Sequence, residues 1–145
     1  MIIDELRKNR IKKLEAIKKA GFLVYPIQTK RTHKIEDVLK DFANLSRSKK
    51  EVILAGRIKA LREHGGLTFS HIEDGTTKIQ IYLKKDRLGE KNYQFFLENF
   101  DIGDFIEVRG ILLKTKTGEK SLQVADYKML AKSLLPLPEK WHGLK

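Results

Sequence analysis

The sequence contains no cysteine, and this absence excludes several kinds of chemistry at once. Without thiols the chain forms no disulfide, has no thiol nucleophile and offers no Cys-ligated metal site. Its four histidines do not have the spacing of metal ligands. A Walker loop and a glycine-rich turn between a strand and a helix are also missing. We therefore predict no catalytic, cofactor-binding or metal-binding residues in this chain.

Long hydrophobic runs are missing as well. No apolar stretch approaches the roughly 20 residues that a membrane-spanning helix needs, and the charged N-terminus lacks the apolar segment of a signal peptide. These absences favour a soluble, intracellular protein, which we expect in the cytoplasm. The charge is strongly one-sided, with 30 Lys and Arg against 19 Asp and Glu and a net charge of +11. Such an excess suits a polyanionic partner, although many of these lysines could be ordinary surface residues.

Two glycine-containing turns organise the centre of the chain. Gly65-Gly66 is typical of a two-residue hairpin turn, and Gly75-Thr76 of a type II′ turn with Gly first. After the second turn apolar and polar residues alternate strictly, as in a half-buried strand. The apolar set, which we expect in the core, is Ile79, Ile81 and Leu83.

The two turns also set the register of the predicted hairpins. If each turn has two residues, Phe69 lies opposite both Arg62 and Tyr82, and residues opposite each other share a face. Six side chains are then predicted on one exposed face: Arg62, Phe69, His71, Lys78, Gln80 and Tyr82. Aromatic rings for stacking, an amide for base edges and cations for phosphate are what a platform for single-stranded nucleic acid needs. An ordinary solvated face with a stray aromatic residue would produce the same pattern.

Two helices are predicted before the strands. The first covers Ile3 to Ala20, and Gly21 is a natural stop. Its remaining cations could line a nucleic-acid backbone or form a solvated face: Arg7, Lys8, Arg10, Lys12 and Lys13. Apolar residues from Ile35 to Leu45 keep helical spacing without a gap, which predicts one short amphipathic helix with Thr32 as a possible N-cap. Phe22 to Gln28 is predicted to be extended, because a proline follows Tyr25.

The strands indicate a barrel. Strand one begins near Glu51, and a slip in its alternation predicts a bulge between Gly56 and Leu61. A polar stretch from Lys84 to Glu90 is followed by a helix, Lys91 to Asn99, whose aromatic side chains should plug the barrel. These aromatics, with the residue after the helix, are Tyr93, Phe95, Phe96 and Phe100. Strand four covers Phe105 to Lys114 and strand five Glu119 to Leu130.

This order of elements predicts a mainly β fold with helices, a five-stranded Greek-key OB-fold barrel. We divide the chain into an N-terminal helical extension (1–50), the barrel (51–132) and a hinge (133–145). The hinge closes no element, and we expect it to lead into a domain that this chain lacks.

Seven short segments, in order along the chain, resemble one family. They are NRIKKLEAIKKAGFLVYP at 9–26, RTH at 31–33, AGRI at 55–58, IQIYL at 79–83, DIGD at 101–104, KTKTGEKSL at 114–122 and PLPEKWHGL at 136–144. Together they resemble the N-terminal anticodon-binding domain of bacterial-type class II lysyl-tRNA synthetases. Aspartyl- and asparaginyl-tRNA synthetases share the barrel, but the basic first helix, RTH and PLPEKWHGL point to the lysyl enzymes.

The resemblance implies roles for individual residues. Phe69 would stack on the middle anticodon base, a uridine, and Gln80 would read the edge of that base. Arg62 would hold base or backbone beside it, and Glu119, in the loop between strands four and five, would accept from base donors. The turn before Phe69 often carries a lysine in relatives, where this chain has Gly65-Gly66.

The resemblance also implies a partner, the anticodon stem-loop of tRNA(Lys). ATP and Mg²⁺ would serve only the catalytic domain of the full-length enzyme, which charges tRNA with lysine, so this chain should be inactive alone. We expect a monomeric fragment of a homodimeric enzyme. Two alternatives stay open: a free-standing OB-fold protein that binds single-stranded nucleic acid, and a protein-interaction module whose first helix docks a subunit through Leu6, Leu14 and Ile17.

Overall fold

The computed structural model describes residues 2–19 and 29–133. The helices are α1 (Ile2–Lys19), α2 (Ile35–Lys40), α3 (Phe42–Ser48), α4 (Lys85–Leu88) and α5 (Glu90–Asn99). The strands are β1 (Val52–Glu63), β2 (Leu67–Glu73), β3 (Lys78–Lys84), β4 (Phe105–Lys114) and β5 (Lys120–Ala131). The strands close into a barrel in the order β1-β2-β3-β5-β4, with β3 and β5 parallel and the other pairs antiparallel. The predicted mainly β barrel, with three strands, a helix and two strands, is confirmed.

Both hairpin turns have the predicted length. His64 and Leu67 exchange two backbone hydrogen bonds of 2.7 and 3.2 Å across Gly65-Gly66. Gly65 and Gly66 have φ values of 47° and 86°, which side chains disfavour and glycine tolerates. The register follows as predicted, with Phe69 opposite both Arg62 and Tyr82 and with His71 opposite Gln80.

The predicted bulge in the first strand is also confirmed. The register between β1 and β2 shifts between Ile58 and Ala60. The first half of β1 pairs with β4 and the second half with β2, so the strand turns a barrel corner. Gly56 lies at this corner, where a Cβ atom would come within 2.8 Å of the Glu73 carbonyl oxygen. The backbones approach so closely here that only glycine fits without a shift.

The core contains the predicted apolar residues of β3 and an aromatic cluster below it. Ile79, Ile81 and Leu83 are buried. The rings of Phe96 and Phe100 stack at 4.8 Å, and the ring of Tyr127 meets both edge-on. Tyr93 is also buried, as predicted, whereas Phe95 is only partly buried.

The region predicted as one second helix contains two, and this prediction was wrong. Asp41 leaves helical geometry and separates α2 from α3. Thr32 is not the N-cap either, because its hydroxyl bonds the backbone of Ile53. Asp74, from the β2–β3 turn, accepts instead from the Ile35 amide at 2.8 Å. The cap comes from a residue 39 positions away, which local sequence patterns do not indicate. The polar stretch after β3 likewise contains an unpredicted helix, α4.

Helix α1 begins one residue before the predicted start, and it packs differently from the docking hypothesis. Leu14 and Ile17 are buried in the core of this chain, while Leu6 is 39% exposed. The first two side chains are therefore unavailable to another subunit, and the docking face predicted for this helix is wrong.

A network of ion pairs, which we call the clamp, fastens α1 and the end of β5 to the turn before β4. Its members are Arg10, Lys13, Asp101, Asp104 and Lys132. The ammonium of Lys132 donates to Asp101 at 2.6 Å, to Asp104 at 2.7 Å and to the Asn99 carbonyl at 2.9 Å. Lys13 donates to the other oxygen of Asp101 at 2.8 Å. Two of the five cations predicted for a nucleic-acid backbone on α1, Arg10 and Lys13, are therefore engaged within the fold.

Other predictions lie outside the described residues. These are the extended segment from Phe22 to Gln28 and the hinge after residue 133, so the three-part division of the chain stays a prediction. Among residues 2–19 and 29–133, no helix combines the length and apolarity needed to cross a bilayer.

Candidate nucleic-acid interface

A groove of about 620 Å³, which we call the recognition groove, opens on the barrel beside the predicted platform. Its walls come from the outer face of β1, β2 and β3, the end of β4 and the loop between β4 and β5. The lining residues are Arg62, His64, Leu67, Phe69, Gln80, Tyr82, Lys84, Leu113, Lys114, Thr115, Lys116 and Thr117. Four of the seven predicted site residues are among them.

An aromatic cluster forms one wall of the recognition groove. The ring centroids of Phe69 and Tyr82 lie 6.1 Å apart, and those of Phe69 and His64 lie 6.4 Å apart. Phe69 is half-buried, so its ring is held by neighbours and still reaches the groove. Arg62, its cross-strand partner, is exposed. A held ring beside a free guanidinium can stack a base and bind a phosphate.

Gln80 lies on the predicted side of the sheet but is not exposed, and this part of the prediction was wrong. Its side chain is 7% exposed and lines the groove. The amide Nε2 donates to the Ser121 hydroxyl at 2.9 Å. The covering residue comes from β5, which pairs in parallel with β3 at this point. Counting residues within the two hairpins could not find a neighbour 41 positions away.

The hydrogen bonds of Ser121 determine which end of the Gln80 amide faces the groove. The Ser121 hydroxyl donates its single proton to the Glu119 carbonyl at 3.2 Å. It can therefore only accept from Gln80, which must present its NH₂ group to it. No described residue donates to the Gln80 carbonyl oxygen, and that oxygen is not among the buried unpartnered atoms. The groove thus contains an oriented hydrogen-bond acceptor.

The other three predicted site residues lie beside the groove and do not line it. His71 is opposite Gln80, and Lys78 continues the same face of β3. Partial burial, with Lys78 and Arg62 nearby, lowers the pKa of His71, while the charge of Glu119 acts in the opposite direction. The His71 ring is therefore neutral at neutral pH, and Glu119 lies close enough to influence it.

Several residues of the recognition groove were not predicted. Lys84 lies two residues after Tyr82 and therefore on the same face of β3, so the alternation of the strand could have predicted it. Residues 113–117 come from the end of β4 and the following loop, and only the barrel closure between β3 and β5 brings them to this face. Three of the unpredicted residues carry positive charge: Lys84, Lys114 and Lys116.

Known proteins match this chain over almost its whole length. A lysine–tRNA ligase of Fervidobacterium nodosum is 41% identical over 147 residues, which is 99% of this chain and 28% of that protein. The lysine–tRNA ligase of Thermoanaerobacter pseudethanolicus is 46% identical over 144 residues, again 99% of this chain and 28% of that protein. The lysine–tRNA ligase of Aquifex aeolicus is 56% identical over 94 residues, or 65% of this chain.

These relatives confirm the resemblance to lysyl-tRNA synthetases. The chain spans less than a third of the length of the curated relatives it matches. Residues 52–130 match the tRNA anti-codon family, described as an OB-fold nucleic acid binding domain. This match covers more than half of the chain and coincides with β1 to β5. The chain therefore belongs to the tRNA anti-codon family of OB-fold nucleic acid binding domains.

Proposed function

We propose that this chain binds the anticodon stem-loop of tRNA(Lys) and reads its middle base in the recognition groove. The observation that carries the proposal is the convergence of Phe69, Arg62 and the oriented carbonyl of Gln80 on one groove. Membership of an anticodon-binding family and the similarity to proteins named lysine–tRNA ligase support it.

The chemistry of the groove favours a particular kind of base. A base stacked on Phe69 contributes about 1–3 kcal/mol whatever its identity, because every base has a π-face. Discrimination comes from Gln80, whose carbonyl can accept from the ring N3 position of a pyrimidine only if that nitrogen carries a proton. The N3–H of uridine meets this requirement, whereas the N3 of cytidine is itself an acceptor. Arg62 and the three groove lysines supply positive charge for the adjoining phosphates.

The activity of a longer protein containing this chain is part of the same proposal. We infer that it charges tRNA(Lys) with lysine in the cytoplasm, as a homodimer, using ATP and Mg²⁺ held by a domain outside this sequence. The 145-residue chain alone is expected to be a monomer that binds RNA without catalysing the reaction.

The proposal is tested by removing the stacking ring. Phe69→Ala is expected to weaken binding of a tRNA(Lys) anticodon stem-loop by about 1–3 kcal/mol, measured by fluorescence anisotropy. Phe105→Ala is the matched control, because Phe105 is 39% exposed and lies outside the groove.

The identity of the middle base provides the second readout. Replacing its uridine by cytidine should weaken binding to the wild-type chain by about 1–3 kcal/mol, since an acceptor then faces the Gln80 carbonyl. A free-standing, sequence-independent binding protein would bind both stem-loops equally, and that result would contradict the proposal.

A further inference from the structure

A second groove, which we call the basic groove, runs between the helices α2 and α3 and the strand β4. Its volume is about 790 Å³. The lining residues are Leu39, Lys40, Phe42, Ala43, Ser46, Arg47, Lys49, Ile111, Leu112, Leu113, Lys114 and Lys120. Five of the twelve are cations and none is a carboxylate, so the groove presents charge of a single sign over an apolar floor.

The cations of the basic groove are largely unneutralised within the described chain. Lys40 has only a long, exposed pair with Glu36, 3.9 Å apart. The other four, Arg47, Lys49, Lys114 and Lys120, form no ion pair with any side chain in the described ranges 5–17 and 29–133. All five are exposed, so each ammonium or guanidinium can meet a ligand.

Two of these lysines repel each other across the sheet. Lys114 and Lys120 are directly opposite in the antiparallel β4–β5 pair, an arrangement that destabilises a sheet when the charges are alike. The Lys120 ammonium also lies 5.4 Å from the centroid of the Phe42 ring, which holds it over the groove floor. A bound anion would relieve the repulsion that the free protein tolerates.

The basic groove continues the recognition groove. Leu113 and Lys114 line both, so Lys114 lies at the boundary between the face that takes bases and the face of uniform charge. A polyanion whose bases enter the first groove must pass its backbone along a neighbouring surface. Neither groove has an acidic lining residue to oppose phosphate, so positive charge continues from the recognition groove into the basic groove.

We propose that the basic groove binds the ribose–phosphate backbone of the same RNA, on the side where it leaves the recognition groove. This inference rests on the proposed function, because it assigns the occupant of the second groove from the occupant of the first. Arg47, Lys49 and Lys120 contact successive phosphates, and Lys114 holds the phosphate at the boundary. The contacts are independent of base identity.

The test compares two double variants that remove the same kinds of charge. Arg47→Gln/Lys49→Gln removes two positive charges from the basic groove. Arg87→Gln/Lys91→Gln removes one exposed arginine and one exposed lysine that line neither groove. Each phosphate contact adds about 0.7–0.9 to the slope of log Kd against log salt, so the first variant should lower that slope by about 1.5. Its affinity for the anticodon stem-loop should fall roughly 25- to 60-fold near 0.1 M salt, and the control should match the wild type.

The outcomes separate this inference from the function on which it rests. If the function is wrong, Phe69→Ala binds the stem-loop as well as the wild type does, and the middle base does not matter. If only the backbone path is wrong, Phe69→Ala weakens binding while Arg47→Gln/Lys49→Gln has the slope and affinity of its control. An acidic protein segment as the true occupant would give that second result. If Arg47→Gln/Lys49→Gln weakens binding by the same factor whether the middle base is uridine or cytidine, the result supports the proposed backbone path.

Discussion

The clamp and the two grooves use the same kind of side chain, a lysine or an arginine, for opposite purposes. In the clamp, Lys132 is 1% exposed and its ammonium meets two carboxylates and a backbone carbonyl. In the grooves, Lys114 and Lys120 are exposed and have no carboxylate partner among the described residues. A cation whose bonds are complete within the fold contributes to folding, and one whose bonds are incomplete is available to a ligand. The difference, rather than the total charge of the chain, locates the interface.

The largest effect on stability is expected when a cation that is paired with buried carboxylates is removed from the clamp. Lys132→Met leaves the buried Asp104 carboxylate, whose side chain is 0% exposed, without its cation. The free energy of unfolding should fall by about 3–5 kcal/mol, as when one partner of a buried pair is lost. Urea denaturation measures this effect.

Two further variants sharpen the Lys132 comparison. Lys116→Met removes an exposed lysine of the recognition groove and should leave stability within about 0.5 kcal/mol of the wild type. Lys132→Met/Asp104→Asn should recover part of the loss, because the unpaired charge is gone. A loss below about 1 kcal/mol in Lys132→Met would show that the clamp does not hold α1 and β5 in place.

A smaller effect on stability is expected at Asp74, another polar group whose hydrogen bonds are made within the fold. Partial burial on its own would raise the pKa of Asp74, but hydrogen bonds from Ile35, Thr76 and Thr77 outweigh it and lower that pKa. A carboxyl group with a lowered pKa contributes stability above the ordinary carboxyl range, and this contribution is lost as the pH falls through the lowered pKa. Asp74→Asn should therefore cost about 1 kcal/mol at neutral pH and progressively less in acid.

Thermal unfolding of wild type and Asp74→Asn between neutral and acid pH measures this difference. Asp86→Asn is the control, since Asp86 is an exposed carboxyl group in the first turn of α4. Parallel pH curves for wild type and Asp74→Asn would mean that the tertiary cap on α2 carries no stabilising charge.

An effect of similar size, on base preference instead of stability, is expected at Gln80, whose amide has one end bonded within the fold and the other end open to the groove. Its NH₂ group is bonded to Ser121, and its carbonyl oxygen faces the groove. Ser121→Ala removes the group that fixes the amide, so the preference for uridine over cytidine at the middle base should shrink by about 1 kcal/mol. Anisotropy titrations with the two stem-loops measure that preference.

Ser121→Thr keeps the hydroxyl and should restore the preference. This rescue distinguishes a positioning role from a general loss of structure, since both variants alter the size of the side chain. If Ser121→Ala discriminates as well as the wild type does, the amide is oriented by some other contact.

The sequence predicted the parts of the fold that depend on neighbouring residues. Two-residue glycine turns leave one register for each hairpin, so the positions of Arg62, Phe69 and Gln80 on one face followed from counting. The slipped alternation around Gly56 likewise located the bulge, because side chains in a strand alternate with a period of two.

What escaped prediction depends on residues far apart in the chain. Ser121 covers Gln80, Asp74 caps α2, and the β4–β5 loop completes the recognition groove, each through a contact between distant segments of the chain. The break at Asp41 was missed for a different reason, since the apolar spacing continues through it without a gap. Periodicity indicates which face is buried but not whether one helix or two provide it.

Chemical-shift perturbation in the ¹⁵N-labelled 145-residue chain, titrated with the tRNA(Lys) anticodon stem-loop, tests the central claim most directly. We predict the largest changes at the amides of Phe69, Gln80, Tyr82 and Lys84, with those of the clamp residue Asp101 unchanged. Changes concentrated around the clamp, with the four groove amides unmoved, would contradict the assignment of open cations and an oriented amide to RNA recognition.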